Sequence, residues 1–276
     1  MSKLRTVVLA VAAGATALTL TACANNSAQP APGSSAGGGA SEYSLITPGK
    51  LTVCTHLAFK PFQYKDSSGK IVGYDVDLMD LVAKDLGVTQ EIVDISFDQI
   101  TSGSVFAAKK CDAGAAAITI KPERAKSATF SQPYFDSTLA LLVKADSGIT
   151  KAEDLKGKVV AVQTDTTGKD WADENKDKYG FEPRVFDDMP TGTNSVLGGV
   201  TAGTVNDNGV LYDFAKDNPS TTVVQEFATG EQYGFNVGND NKALAKKIDE
   251  VLDKARASGE FNTIYKKWFG VDAPKK

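Results

Sequence analysis

The chain has 276 residues, 42% of them hydrophobic and 23% charged, which suits one large globular domain or two smaller lobes. A net charge of −4 provides no basic face for nucleic acid. A single histidine, His56, rules out multi-histidine metal sites and leaves a Ser-His-Asp triad only one base.

The first 22 residues stand apart. Lys3 and Arg5 form a short basic region, and Thr6–Leu20 follows as an uncharged apolar run, short for a membrane span and shaped like a secretory signal. It ends in Leu20-Thr21-Ala22-Cys23, which resembles the bacterial lipobox. That resemblance implies a diacylglyceryl, palmitate-type anchor on Cys23; the other reading is an ordinary signal with a cysteine nearby. Losing Lys3 and Arg5 with the leader takes the net charge from −4 to −6. Ala24–Ser41 (ANNSAQPAPGSSAGGGAS) has too little apolar mass to fold and reads as a tether reaching roughly 20–25 Å. With Cys23 set aside, Cys54 and Cys111 remain. They are either a disulfide, as an even pair in an exported chain suggests, or two buried thiols.

Further along, Leu51–Thr55 reads as a strand and DVDLMDLVAKDLG from Asp75 as an amphipathic helix closed by Gly87. Glu91–Ser96 is a second strand. A helix capped by Asp98 runs towards Lys110, and Asp112–Ile120 is a third, buried strand. The alternation predicts a parallel α/β sheet. A second α/β unit starts after Ser147 with a capping box over Thr150–Glu153. Its strands are Val159–Gln163, Arg184–Phe186, Thr204–Asn206 and Thr221–Glu226. Its helices begin after Thr164–Thr167, span Thr191–Ala202, and span Val210–Lys216. The tail is two helices broken near Ser258-Gly259.

Ligands in open α/β sheets lie beyond the carboxyl ends of the strands. Those ends carry His56–Phe59, Phe97, Thr119–Arg124, Thr164–Thr167 and Asp207, with no Gly-rich phosphate loop and no metal-ligand cluster, so no cofactor is expected. Arg124 is a permanently charged fork suited to a carboxylate, or else a surface arginine paired with Glu123. Thr166 and Thr167 start a helix and are ligand contacts or plain caps. Asp207 is an acid facing a ligand or a cap for the helix at Val210. Phe59 and Phe97 stack on a ligand or fill core, and His56 is a pocket hydrogen-bonder or an ordinary core histidine.

The segments LTVCTHLAFKPFQY, GYDVDLMDLVAKDLG, ITIKPERAKSATFSQPY, DSGITKAEDLKGKVVAVQTDTT, NDNGVLYDF and GEFNTIYKKWFG resemble the solute-binding proteins of polar amino-acid ABC transporters, over about Lys50 to Gly270. The resemblance implies the type II periplasmic-binding-protein fold, two α/β lobes joined by a two-strand hinge. The implied layout is a signal at residues 1–22, a lipidated tether at 23–44, the first lobe at 45–136 and 233–276, and the second lobe with the hinge strands at 137–232. It also implies a monomer, anchored by lipid to the outer face of the cell membrane. That monomer delivers a polar or neutral L-amino acid to a permease and its ATPase by hinge closure.

By position the resemblance gives Arg124, Thr119 and Thr167 to the ligand carboxylate, Asp207 to the ammonium, and Phe59 and Phe97 to the side chain. Ala117 stands where relatives often carry a polar contact. His56 replaces the acid of many binders of cationic amino acids, which argues against arginine or lysine. Asp165 replaces a glycine and adds negative charge, which argues against a strongly acidic ligand. Other readings are an enzyme of the same fold, similar to cyclohexadienyl dehydratase, with His56 and Asp165 as the acid–base candidates, and a sensor lipoprotein.

Overall fold

The computed structural model describes residues 43–274. The leader, Cys23 and the tether through residue 42 lie outside the described residues. In chain order the elements are β1 (Lys50–Thr55), a short hairpin of β2 (Tyr64–Lys65) and β3 (Ile71–Val72), α1 (Tyr74–Asp85), β4 (Thr89–Asp94), α2 (Phe97–Thr101), α3 (Ser104–Ala107), β5 (Ala113–Gly114) and β6 (Ala128–Phe130). Then come β7 (Phe135–Lys144), β8 (Val159–Gln163), α4 (Thr167–Tyr179), β9 (Glu182–Phe186), α5 (Met189–Leu197), β10 (Gly203–Asp207) and α6 (Asn208–Asp217). The chain closes with β11 (Thr221–Tyr233), β12 (Asn236–Gly238), α7 (Lys242–Ser258) and α8 (Glu260–Phe269).

Two five-stranded sheets result, ordered β4-β1-β5-β12-β6 and β11-β7-β10-β8-β9. β1 lies parallel to β4 and β5 and is buried from Leu51 to Thr55, as a strand covered on both faces must be. In α1, Tyr74, Leu78, Met79, Val82 and Ala83 share the buried stripe, and Gly87 takes the left-handed conformation just past its end. The sheets are mixed rather than purely parallel. β12 returns from the far end of the chain to run antiparallel between β5 and β6, and β7 is antiparallel to both β10 and β11.

Several expected boundaries shift for local reasons. The helix expected from Asp98 to Lys110 splits into α2 and α3 at Gly103, whose φ is +74°. A Cβ there would sit 2.7 Å from the Ser127 carbonyl oxygen, and Ser96 rather than Asp98 is the N-cap. The strand expected over Asp112–Ile120 keeps only two residues. Ala117 turns the chain at φ +49°, and its N–H donates to the Asp75 carboxylate (2.8 Å) instead of to a ladder. Asp188 caps α5, accepting from the Thr191 amide at 2.7 Å, so this helix starts earlier than Thr191 and stops before Gly198-Gly199. The box near Thr150 closes through Asp154, which accepts from the Thr150 amide and hydroxyl at 2.9 Å each, and not through Glu153.

Two features tie the sheets together. β7 and β11 pair along their length, with Phe135 opposite Tyr233 and Ser137 opposite Glu231; a register shift then brings Phe227 opposite Leu139. An aromatic cluster sits under this crossing. Phe135 stacks on Tyr233 (5.4 Å), Phe62 meets Phe135 edge-on (4.9 Å), and Tyr134 lies flat on Phe235 (4.2 Å). α8 adds Tyr265 and Phe269 to it, 5.9 and 5.1 Å from Phe135, which brings the tail back onto the first sheet's side. Cys54 in β1 is bonded to Cys111 just before β5, with Cα atoms 5.6 Å apart.

Candidate ligand-binding site

One cavity lies between the two sheets at the carboxyl ends of their strands. From the first sheet's side it is lined by His56, Phe59, Gln63, Phe97, Ala116, Ala117, Thr119 and Arg124; from the second by Gln163, Thr166, Thr167 and Asp207. Each has a local reason to be there. His56 directly follows β1, and Phe97 opens α2. Arg124 opens a single 3₁₀ turn that follows Lys121-Pro122. Gln163 ends β8, Asp207 ends β10, and Thr166 caps α4, accepting from the Lys169 amide at 3.2 Å. Gly168 lets α4 start close to β10, because a Cβ there would sit 2.7 Å from the Val205 carbonyl oxygen.

Arg124 is 7% exposed. Its Nη1 donates to the Thr119 carbonyl (2.9 Å) and its Nη2 crosses the cleft to the Asp165 carbonyl (2.7 Å). The guanidinium lies over the Phe97 ring, 5.4 Å from its centroid. Burial pulls its pKa below the ordinary arginine value, opposed first by Asp165 and then by Asp207. Among the described residues its direct partners are these two carbonyls and the ring, and no carboxylate forms an ion pair with it. Guanidinium donors remain free for one.

On the second sheet's side Asp207 occupies the N-cap position of α6 yet makes no capping hydrogen bond. It is buried, and its Oδ1 has no partner. Burial, then the nearby Glu231 charge, pushes its pKa well up; a Tyr233 hydrogen bond and Arg124 oppose the rise. Three further lining residues carry buried atoms without partners: His56 Nε2, Gln63 Oε1 and Gln163 Oε1. Their polarity is set by their other contacts. His56 Nδ1 meets the Ile95 carbonyl at 2.9 Å, so Nδ1 carries a proton, and in that tautomer Nε2 is an acceptor. The Gln63 and Gln163 amide nitrogens donate to the His56 and Asp187 carbonyls, which leaves Oε1 as the spare acceptor of each. A buried polar atom without a partner costs about 1–3 kcal/mol, so four around one cavity mark a place built for a donor-rich guest.

Nine of the residues singled out by sequence meet here: His56, Phe59, Phe97, Ala117, Thr119, Arg124, Thr166, Thr167 and Asp207. Asp165 does not line the cavity. It sits at φ +59°, offers its carbonyl to Arg124, and uses its carboxylate to accept from the Thr101 hydroxyl. Ala117 offers a methyl group, since its amide is spent on Asp75. Sequence reasoning missed Gln63, Gln163 and Ala116 as lining residues. Gln163 was findable as the last residue of a predicted strand; Gln63 arrives through a loop bridge to Phe59 that leaves no pattern.

The model of the bacterial extracellular solute-binding proteins, family 3, matches residues 51–271. The chain belongs to that family. Its fold is that of a type II periplasmic binding protein, and the relatives share it over most of their length. The chain is 32% identical to the ABC transporter glutamine-binding protein GlnH of Bacillus subtilis, over 75% of this chain and 76% of that protein. Among solved structures, an ancestral arginine-binding protein bound to arginine is 37% identical with a TM-score of 0.75, covering 80% of this chain and 99% of that one. The arginine-, lysine-, histidine-binding protein ArtJ of Geobacillus stearothermophilus is 36% identical with a TM-score of 0.73, covering 81% and 96%.

Proposed function

We propose that this family member captures a free L-amino acid outside the cell and hands it to an ABC permease with its ATPase. The observation that carries the reading is the pairing of opposites within one cavity. Arg124 is buried without a carboxylate, and Asp207 is a buried acid with a spare oxygen on the other side of the cleft. An α-carboxylate at Arg124 and an α-ammonium at Asp207 satisfy both, and only when the two sheets are close, so the ligand stabilises the closed form. Each charge-assisted hydrogen bond adds about 1.5–3 kcal/mol, and a few of them reach micromolar affinity, about −8 kcal/mol.

Phe59 and Phe97 flank the ligand side chain, which ends among His56 Nε2, Gln63 Oε1 and Gln163 Oε1. Those are three uncharged acceptors. They favour a side chain that donates N–H groups while carrying no full charge, an amide before a guanidinium and either before a carboxylate. Lipidation at Cys23, the tether, the division into a lobe of residues 45–136 with 233–276 and a lobe of 137–232, and a monomeric state complete the proposal. The protein binds and does not turn its ligand over.

Calorimetry of the mature domain against a panel of amino acids tests the reading. A glutamine-like ligand is expected to bind, and Arg124→Ala to lose at least a hundredfold in affinity for every ligand. Full affinity in that variant removes the carboxylate assignment, and turnover of prephenate or arogenate replaces transport with catalysis.

A further inference from the structure

Glu231 is absent from the cavity lining yet controls two groups that belong to it. It sits on β11 opposite Ser137, at the register shift of the β7–β11 pair. Its Oε2 accepts from the Thr119 hydroxyl (3.0 Å) and from the Thr167 hydroxyl (2.9 Å). Thr119 belongs to the first sheet's side and Thr167 is the first residue of α4 on the second. A threonine hydroxyl has one proton to donate. With both protons committed to Glu231, neither hydroxyl can donate to a ligand carboxylate until Glu231 gives it up.

We propose that Glu231 is an internal competitor for the ligand carboxylate: it clasps Thr119 and Thr167 across the cleft and is replaced there by the amino acid. The clasp excludes a ligand carboxylate from these hydroxyls while it holds the two sides together. It therefore lowers apparent affinity and raises the closed population before binding. Its location fits this role, because β11 is one of the two strands that cross between the sheets, and a carboxylate there can reach hydroxyls on both sides. Glu231 also lies close enough to Asp207 to raise that group's proton affinity, so the clasp adds negative charge beside the acid that awaits the ammonium.

The binding arm of the test rests on the amino-acid reading above; the other arm does not. Glu231→Ala and the conservative Glu231→Gln are compared with the wild-type protein by small-angle scattering without ligand and by calorimetry with ligand. In the absence of ligand Glu231→Ala is expected to be measurably more extended than wild type. Acetate in the tens of millimolar, a free carboxylate for the vacated hydroxyls, is expected to compact Glu231→Ala and leave wild type unchanged. Glu231→Gln keeps an acceptor of the same shape and should fall between. Amino-acid affinity should rise several-fold in Glu231→Ala. A Glu231→Ala protein as compact as wild type, indifferent to acetate, overturns the proposal; so does a loss of affinity, which would make Glu231 a ligand-holding group. If wild type binds no amino acid, the reading of the site fails while the scattering comparison still decides the clasp.

Discussion

At the scale of single residues, the proposed division of the ligand's charges between Arg124 and Asp207 depends on pH through Asp207. Burial and the Glu231 charge raise its pKa, so part of the ligand-free population holds a proton that an ammonium partner must expel. The bound form prefers the deprotonated acid. Affinity should therefore rise with pH through the window above the ordinary carboxylate range and level off once Asp207 is ionised without ligand. Calorimetry in buffers of different ionisation enthalpy should detect proton release on binding, and Asp207→Asn should abolish the release along with most of the affinity. Equal heats in all buffers would show that Asp207 is already ionised before the ligand arrives. Arg124 and Asp207 were legible in the sequence because each is the conspicuous charge at a strand end. The paired alternatives raised for them resolve in the structure: Arg124 is buried rather than paired with Glu123, and Asp207 makes no cap bond. Gln63 and Glu231 were not legible: Gln63 is placed by irregular loop contacts to Phe59 and His56, and Glu231 acts through hydroxyls 112 and 64 residues away, and no periodicity announces either.

At the scale of elements, the loop after β5 shows how a buried acid shapes a site that it never touches. Asp75, in the first turn of α1, is wholly buried. Its Oδ2 accepts the Ala117 amide at 2.8 Å and its Oδ1 accepts the Tyr134 hydroxyl at 2.8 Å. Those bonds hold Ala117 in its left-handed conformation and end β5 two residues after it starts, opening the cavity wall. The alanine-rich run reads as a strand because nothing local in Asp112–Ile120 reveals an acid 42 residues earlier. Burial raises Asp75 to about 7 against its two hydrogen bonds. A folded-state pKa above the unfolded value means the native state holds the extra proton, so the contribution of Asp75 to stability is greatest at low pH. It falls as pH rises from about 4 to about 7, by up to about 4 kcal/mol. Asp75→Asn can accept the Ala117 amide with its oxygen and donate to the Tyr134 hydroxyl with its nitrogen. It should stay folded, and the gap in melting temperature between variant and wild type should widen in the variant's favour as pH rises through that window. A gap that is constant with pH would mean that Asp75 does not titrate there.

At the scale of the whole molecule, the α/β class was readable from the order of elements, but the mixed sheets were not. β12 pairs with β5 and β6 only after more than a hundred residues of chain have intervened, and long-range pairing leaves no local signature. The closed arrangement seen here has contacts of two kinds across the cleft. Those at its centre are partly buried: Arg124 to the Asp165 carbonyl, and Glu231 to Thr119 and Thr167. Those at its mouth are ion pairs: Lys60 reaches Asp217 (2.7 Å) and Asp213 (3.2 Å) on α6, and Lys121 reaches Asp170 on α4. The mouth pairs keep substantial solvent contact, with Asp217 and Asp170 side chains about half exposed. Exposed pairs are worth about 0.2–1 kcal/mol each and are screened within about 10 Å at 0.1 M salt. The double variant Lys60→Ala, Lys121→Ala should therefore lose only about fivefold in ligand affinity at low ionic strength. Half-molar sodium chloride should bring it level with wild type, whereas the loss in Arg124→Ala should persist at every salt concentration. A large salt-insensitive loss in the double variant would place the energy of closure at the mouth of the cleft instead of at its partly buried centre.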